Sequence, residues 1–277
     1  VNSAYSPFDA AAATYDAQFT STRLGRWLRE AVWSYLAKTF RPGDHVLELG
    51  CGTGEDAAWL ARQGVRVLAT DASLAMLAVA QSKIAATGLT DRVHLLQMNL
   101  NRRAEMADMD TGSDHSPFCF PSSAFDGAFS NFGAFNCLVE RRPVAQALAG
   151  VIRPGGHLVL VLMGPTCPWE LGWHLLHGKP WQAFRRFRSG VDAQLGQGIT
   201  APVWYPSPRR LEAEFEPWFV MRRMAGIGSL LPPSYLGYLV DRWPNIFRLV
   251  ARLDQRLGTT WPWTWLNDHY LMILERR

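Results

Sequence analysis

The sequence predicts an α/β fold in which a parallel sheet is covered by helices on both faces, and three observations predict it. Short apolar runs at 45–49, 65–70, 93–98, 125–130 and 157–163 are separated by segments with helical periodicity or helix-forming composition. Turn residues mark the boundaries: Arg41-Pro42-Gly43-Asp44, a glycine cluster after Leu49, and Pro154-Gly155-Gly156. The fifth run is nearly all apolar, as expected of a strand buried on both faces.

Each element has its own justification. From Thr22 to Lys38, the residues Leu24, Trp27, Leu28, Ala31, Val32, Tyr35 and Leu36 recur at three- and four-residue steps, which predicts an amphipathic helix. Run 45–49 is a first strand ending in a glycine-rich turn. Residues 55–63 form a helix stopped by Gly64, 65–70 form a second strand ending at Asp71, Ser73 caps a helix reaching Ala86, and 93–98 form a third strand. The stretch 101–123, with Asp108, Asp110, Gly112, Ser113 and Asp114, reads as a polar surface loop. A fourth strand (125–130), a helix (143–151), a turn (154–156) and the fifth strand (157–163) follow. Residues 208–215 and 244–257 read as helices, and 218–223 and 269–274 as two late strands.

The 277 residues are enough to bury a substantial core. No uninterrupted apolar run of about 18 residues is present to cross a bilayer. The first residues carry Asp9 and Asp16 without a basic segment leading into an apolar one, so a cytoplasmic location is expected rather than secretion. Cys51, Cys119, Cys137 and Cys167 form no Cys-x-x-Cys pair, which fits neither a disulfide framework nor a metal site. The net charge of +4 is uneven: residues 1–164 hold 14 basic and 15 acidic side chains, whereas 165–277 hold 14 and 9. Nine of the twelve tryptophans also lie in the second part, and tryptophan with arginine suits binding surfaces as well as cores.

The sharpest motif is Glu48-Leu49-Gly50-Cys51-Gly52-Thr53-Gly54, a strand that delivers three alternate glycines to the start of a helix. Glycines let the backbone bend tightly and approach a ligand. Asp71, at the end of the second strand, can accept both hydroxyls of a ribose. Gly52-Thr53-Gly54-Glu55-Asp56-Ala57 also satisfies the loose dinucleotide pattern, yet Glu48 would face a pyrophosphate unfavourably and suits a ligand bearing an ammonium and a sulfonium.

This motif resembles the first motif of class I S-adenosylmethionine-dependent methyltransferases, and the order of elements from Arg41 to Met163 is similar to theirs. The resemblance implies a Rossmann-like doubly wound sheet of seven strands, one of them antiparallel, and S-adenosyl-L-methionine as cofactor. The turn residues Gly50, Cys51, Gly52 and Gly54 would line the cofactor, with Glu48 beneath them. Asp71 matches the family's ribose-binding acid, with Ala72 beside it, and Met76 stands where an apolar side chain packs near the adenine. Asn99-Leu100 follows the third strand, where the family commonly carries an acid; Asn99 departs from that pattern but can still bond a purine edge. Phe125-Asp126-Gly127-Ala128-Phe129-Ser130-Asn131-Phe132-Gly133 resembles the fourth-strand motif and sets Asn131 at the crevice mouth. Ala12-x-x-Tyr15-Asp16 resembles the start of quinone-biosynthesis methyltransferases, which makes Tyr15 a lid residue, and Arg23 is expected to reach the cofactor carboxylate.

The expected organisation is an N-terminal helical lid at 1–40 and a methyltransferase domain at 41–277, with insertions at about 164–205 and 230–266 forming a cap on the acceptor side. The expected activity is methyl transfer to a small apolar or aromatic molecule, or to a lipid or quinone-like acceptor. No catalytic base stands out: His174 and His177 lie in an aromatic segment, and Asp268-His269-Tyr270 begins a strand whose residues alternate faces, so all three cannot converge. That lack favours an acceptor of low proton demand. A nucleic-acid or protein substrate is the competing reading, from the pI near 9.0 and the pairs Arg185-Arg186, Arg209-Arg210 and Arg222-Arg223. Against it, Asn131-Phe132-Gly133-Ala134 lacks the proline pair of enzymes that methylate base amino groups. A non-catalytic cofactor-binding protein is the third reading. In helix 244–257, Ile246, Leu249, Val250 and Leu253 are expected to pack on the domain while Arg248, Arg252 and Arg256 face solvent, a stripe that also suits weak contact with anionic lipid.

Overall fold

Alternation along the strands builds two cores. Val46, Val67, Ala69, Phe129, Val159, Val161 and Leu271 point to one face of the sheet, and Leu47, Leu49, Ala128, Leu158, Leu160, Leu162 and Met272 to the other. The computed structural model describes residues 6–101, 120–188, 190–194 and 200–277. The main helices are α1 (Arg23–Thr39), α2 (Glu55–Arg62), α3 (Leu74–Ala86), α4 (Arg142–Val151), α5 (Pro168–Leu176), α6 (Pro208–Phe215) and α7 (Pro244–Leu257). Leu24, Leu28, Val32 and Leu36 of α1 and Ala57 and Leu60 of α2 cover the first face, and α4 and α6 cover the second. Side chains of Thr22, Ser73 and Ser207 cap α1, α3 and α6, each accepting a backbone N–H of the first turn.

The strands are β1 (His45–Leu49), β2 (Arg66–Asp71), β3 (Val93–Gln97), β4 (Phe125–Ser130), β5 (Ile152–Met163), β6 (Val191–Gln194), β7 (Thr200–Val203), β8 (Phe219–Ile227) and β9 (His269–Arg276). Seven of them form one sheet in the order β3-β2-β1-β4-β5-β9-β8, and β6 and β7 form a separate hairpin. β9 runs antiparallel to both β5 and β8, so it is the one strand of the sheet that opposes the others. The order reverses between β1 and β4, which opens a crevice at their carboxyl ends.

Three expectations need revision. Pro154-Gly155-Gly156 lies within β5 rather than in a turn before it: the pairing jumps from Phe125↔Ile152 to Gly127↔His157, and the extra residues are absorbed as an irregularity with Gly155 at φ 73°. Most of the polar stretch 101–123, residues 102–119, lies outside the described residues. The third revision concerns α7. Phe247, Ala251 and Asp254 are its buried residues and Val250 packs against the first core as expected, while Ile246, Leu249 and Leu253 are 61%, 67% and 46% exposed. The helix is oriented by Asp254, whose carboxylate accepts the backbone N–H groups of Gly228 (3.0 Å) and Leu230 (2.7 Å). Satisfying those two donors turns the apolar row outward. Among the described residues no helix is long and apolar enough to cross a membrane.

The segment after β5 is fastened by a buried ion network. Arg186, 5% exposed, donates to Glu170 of α5, to Asp268 before β9 and to the carbonyl of Gly164 after β5. Its guanidinium holds the Asp268 carboxyl well below the usual carboxylate range. Replacing Arg186 by Met leaves two buried carboxylates with reduced compensation, and urea denaturation near neutral pH should show a loss of about 3–5 kcal/mol. Because Asp268 has a folded-state pKa below its unfolded value, the pair stabilises the fold above the ordinary aspartate range and fades as pH falls below about 4. The difference between wild type and Arg186→Met should therefore narrow in acid; a constant difference would refute this assignment.

Candidate active site

The glycine turn sets the floor of the crevice. Gly50 N and Cys51 N both donate to Thr70 O at 2.8 Å, bending the chain between β1 and α2. Gly50 has φ 75°, and a Cβ there would lie 2.3 Å from the Ala134 Cβ. Gly52 has φ 53°, but no atom lies within 4 Å of its would-be Cβ, so this glycine keeps the turn's surface low and open. Asp71 braces the turn from β2: one oxygen accepts Gly52 N and the other Ser73 N, each at 2.8 Å. Burial raises its pKa, and those N–H groups counteract the rise. Cys51 is buried, and burial, with Glu48 and Asp71 nearby, pushes its thiol well up, which keeps it protonated.

Beside the turn lies a dense charged cluster. Arg29 of α1 is 5% exposed and pairs with Asp56 of α2 at 2.5 Å. Asp56 also accepts from Trp33 Nε1 (2.6 Å) and from Asn131 Nδ2 (3.1 Å). Glu48 is 1% exposed, and its pKa stands well above the ordinary value because of burial first and Asp56 second, with Arg29 opposing both. The Arg29 guanidinium also lies over the rings of Phe19 and Phe132, at 5.4 and 5.3 Å from their centroids. Phe132 meets His269 edge to face, with ring centroids 5.4 Å apart.

Four buried side-chain atoms among the described residues lack a hydrogen-bond partner: Arg29 Nε, Glu48 Oε2, Asn131 Oδ1 and His269 Nδ1. All four belong to this one cluster. Buried polar atoms are normally satisfied, so their concentration at the crevice marks a place built for a ligand. His269 Nδ1 lies 3.2 Å from Asp268 Oδ2 without forming a hydrogen bond.

The N-terminal segment is fastened to the glycine turn and to α3. Asp9 accepts from Ser73 Oγ (2.5 Å) and Ala75 N (3.3 Å), Asp16 accepts from Thr53 Oγ1 (2.6 Å), and Lys83 pairs with Asp16 at 2.9 Å. Tyr15 sits among these contacts, close enough to feel Arg29, Asp56 and Asp71, and burial raises its pKa.

The structure thus brings together Tyr15, Glu48, Gly50, Cys51, Gly52, Gly54, Asp71 and Asn131. Ala72 follows Asp71, and Met76, 2% exposed, lies one turn into α3. Asn99 and Leu100 stand just beyond β3, where Leu100 is buried and Asn99 accepts Asn101 N at 3.0 Å. Arg23 is elsewhere: it is 48% exposed and pairs with Asp241 at 2.9 Å. As the first residue after the Thr22 cap it points to the short helix Gly237–Arg242, and Arg29, further along α1, enters the crevice in its place. Arg29, Asp56, Phe132 and His269 are absent from the sequence-based set. A signal for Arg29 exists, a charged residue between Leu28 and Val32 on the buried face of α1. The sequence does bring Asp268 and His269 together but sends Tyr270 to the other face, where its hydroxyl donates to Pro206 O.

A family model described as a methyltransferase domain matches residues 46–156. The chain is 30% identical over 204 residues to a demethylmenaquinone methyltransferase of Thermobifida fusca, covering 71% of this chain and 78% of that protein. It is 31% identical over 159 residues to another, of Symbiobacterium thermophilum, and spans about half the length of that relative, 55% of each chain. The crystal structure of an S-adenosylmethionine-dependent methyltransferase from Mesorhizobium loti superposes with a TM-score of 0.53 at 17% identity, over 89% of this chain and 98% of that one. The chain belongs to the class I S-adenosylmethionine-dependent methyltransferases.

The residues present fit the family's cofactor, S-adenosyl-L-methionine. The open side of Gly52 leaves room for it, the unpaired Glu48 oxygen suits its positive charge, and the outer lone pairs of Asp71 suit ribose hydroxyls. Calorimetry on Asp71→Ala should show affinity for S-adenosylmethionine reduced about 10- to 100-fold, the range of a lost charge-assisted bond. Unchanged affinity, or binding of NAD in preference, would contradict this placement.

Proposed function

We propose that this chain transfers a methyl group from S-adenosylmethionine to a small apolar or aromatic acceptor of the quinol type. The observation that carries the proposal is the juxtaposition of a buried Glu48 with one unpartnered carboxylate oxygen and an aromatic wall of Phe19 and Phe132 that ends on His269. Tyr15, Glu48, Gly50, Cys51, Gly52, Gly54, Asp71, Ala72, Met76, Asn99, Leu100 and Asn131 form the proposed cofactor contacts. The lid at 1–40 and the insertions at 164–205 and 230–266 flank the acceptor side of the core.

Bound S-adenosylmethionine supplies a methyl group already activated on sulfonium. The chain's own task is to orient the acceptor and exclude water. Phe19 and Phe132 offer ring faces to a flat acceptor. His269, in its neutral form, takes the proton from a hydroxyl or ring carbon of the acceptor, and the adjacent Asp268 carboxylate stabilises the imidazolium that results. This base extends the range of acceptors beyond those of low proton demand. The demethylmenaquinone methyltransferases among the relatives support a quinol acceptor.

The arginine pairs give little support to a nucleic-acid substrate. Arg185 and Arg186 are held by Glu170, Arg210 by Glu214, and Arg222 by Glu275. Incubation with methyl-labelled cofactor and either an alkylated naphthoquinol or bulk transfer RNA separates the two readings, with label expected in the quinol alone. His269→Gln should lower kcat by roughly 10²-fold or more and leave cofactor affinity unchanged. Label in RNA, or an undiminished kcat, would overturn the proposal.

A further inference from the structure

Sixteen large apolar side chains are exposed among the described residues, and thirteen of them lie in the segments 164–205 and 230–266. The most regular group is on α7. Trp243, Ile246, Leu249 and Leu253 follow one another at three- and four-residue steps along the outer face, 46%, 61%, 67% and 46% exposed. Arg248, Arg252 and Arg256 form the next row at four-residue steps, all exposed. The Arg242 guanidinium lies over the Trp243 ring, 5.4 Å from its centroid.

The charge of this face is uncompensated. None of the ion pairs among the described residues involves Arg248, Arg252 or Arg256. The one acid on α7, Asp254, is buried and committed to the N–H groups of Gly228 and Leu230, and Asp241 is taken by Arg23. An aliphatic row bounded by a tryptophan and lined on one side by arginines is the pattern of a helix lying in the plane of a lipid interface. The apolar row reaches the acyl boundary while the arginines meet headgroup phosphates. A second copy seated on the same row would set its three arginines against the first three, an arrangement charge disfavours.

We infer that the outer face of α7 docks the protein on an anionic lipid surface. The face is connected to the crevice: Asp254 holds Gly228, the neighbour of Ile227, and Ile227 pairs with His269 across β8 and β9. These contacts link the lipid-facing helix to the crevice, and this link alone bears on the proposed acceptor, since lipid binding is read without turnover.

Cosedimentation with vesicles of equimolar phosphatidylcholine and phosphatidylglycerol, against vesicles of pure phosphatidylcholine, tests the inference. The full chain should bind the anionic vesicles at low salt and be released at high salt. Replacing Arg248, Arg252 and Arg256 together by Gln should weaken binding about 100-fold, at roughly fivefold per basic residue near the surface. Ile246→Ser, Leu249→Ser and Leu253→Ser combined should also release the protein. Calorimetric affinity for S-adenosylmethionine should be unchanged in both variants, which verifies their fold and separates failure of docking from failure of the methyltransferase reading. Absence of binding to anionic vesicles, or binding that survives either variant, would overturn the inference. So would an α7-dependent dimer that binds no vesicles.

Discussion

One buried guanidinium facing an excess of carboxylates is the constraint on which the rest of the structure depends. Arg29 pairs with Asp56, yet Glu48 lies in the same low-dielectric region and Asp71 stands close enough to raise its pKa further. Burying such a group costs several kcal/mol unless charge or hydrogen bonds compensate it. Part of the cost is met inside the chain by Trp33, Asn131 and the N–H groups of Gly52 and Ser73. Glu48 Oε2 is left over, and the residual demand for positive charge is what a cationic cofactor supplies. The cluster is thus costly to the free protein and favourable to the complex, the balance expected of a binding site.

The same cluster organises its surroundings. Arg29 ties α1 to α2 through Asp56 and lies over Phe19 and Phe132, so one side chain joins the charged cluster to the aromatic wall. Phe132 in turn borders His269, whose neighbour Asp268 is held by Arg186 from the segment after β5. The setting of His269 therefore depends on the segment after β5 through buried charge. The N-terminal segment is tied to the glycine turn and to α3 through Asp9 and Asp16, which reach Thr53, the Ser73 cap and the α3 residues Ala75 and Lys83.

The strands, the glycine turn, Asp71 at the end of β2 and most helix limits are legible in the sequence, because strand alternation, capping residues and turn glycines are local signals; the seven-stranded sheet with one antiparallel strand comes from the family resemblance. α6 and α7 were read to the residue. Three features were not legible, and each depends on tertiary contact. Arg23 and Arg29 both lie on α1, and only the packing of that helix decides which one turns inward. The orientation of α7 was misread because period alone favours the more apolar row, whereas Asp254 and its two backbone donors hold the other face inward. The third is the contact of His269 with Phe132, made between separate elements, although the expected divergence of His269 and Tyr270 holds.

The central claim is that Glu48 is kept short of positive charge until the cofactor arrives. Carbon NMR of carboxyl-labelled glutamate, assigned with Glu48→Gln, measures this directly by following the Glu48 resonance through a pH titration with and without S-adenosylmethionine. The account predicts a midpoint well above the ordinary glutamate range in the free chain, from burial and Asp56, and a fall toward or below that range in the complex. A midpoint that is ordinary in the free chain, or one that does not move when the cofactor binds, would contradict it.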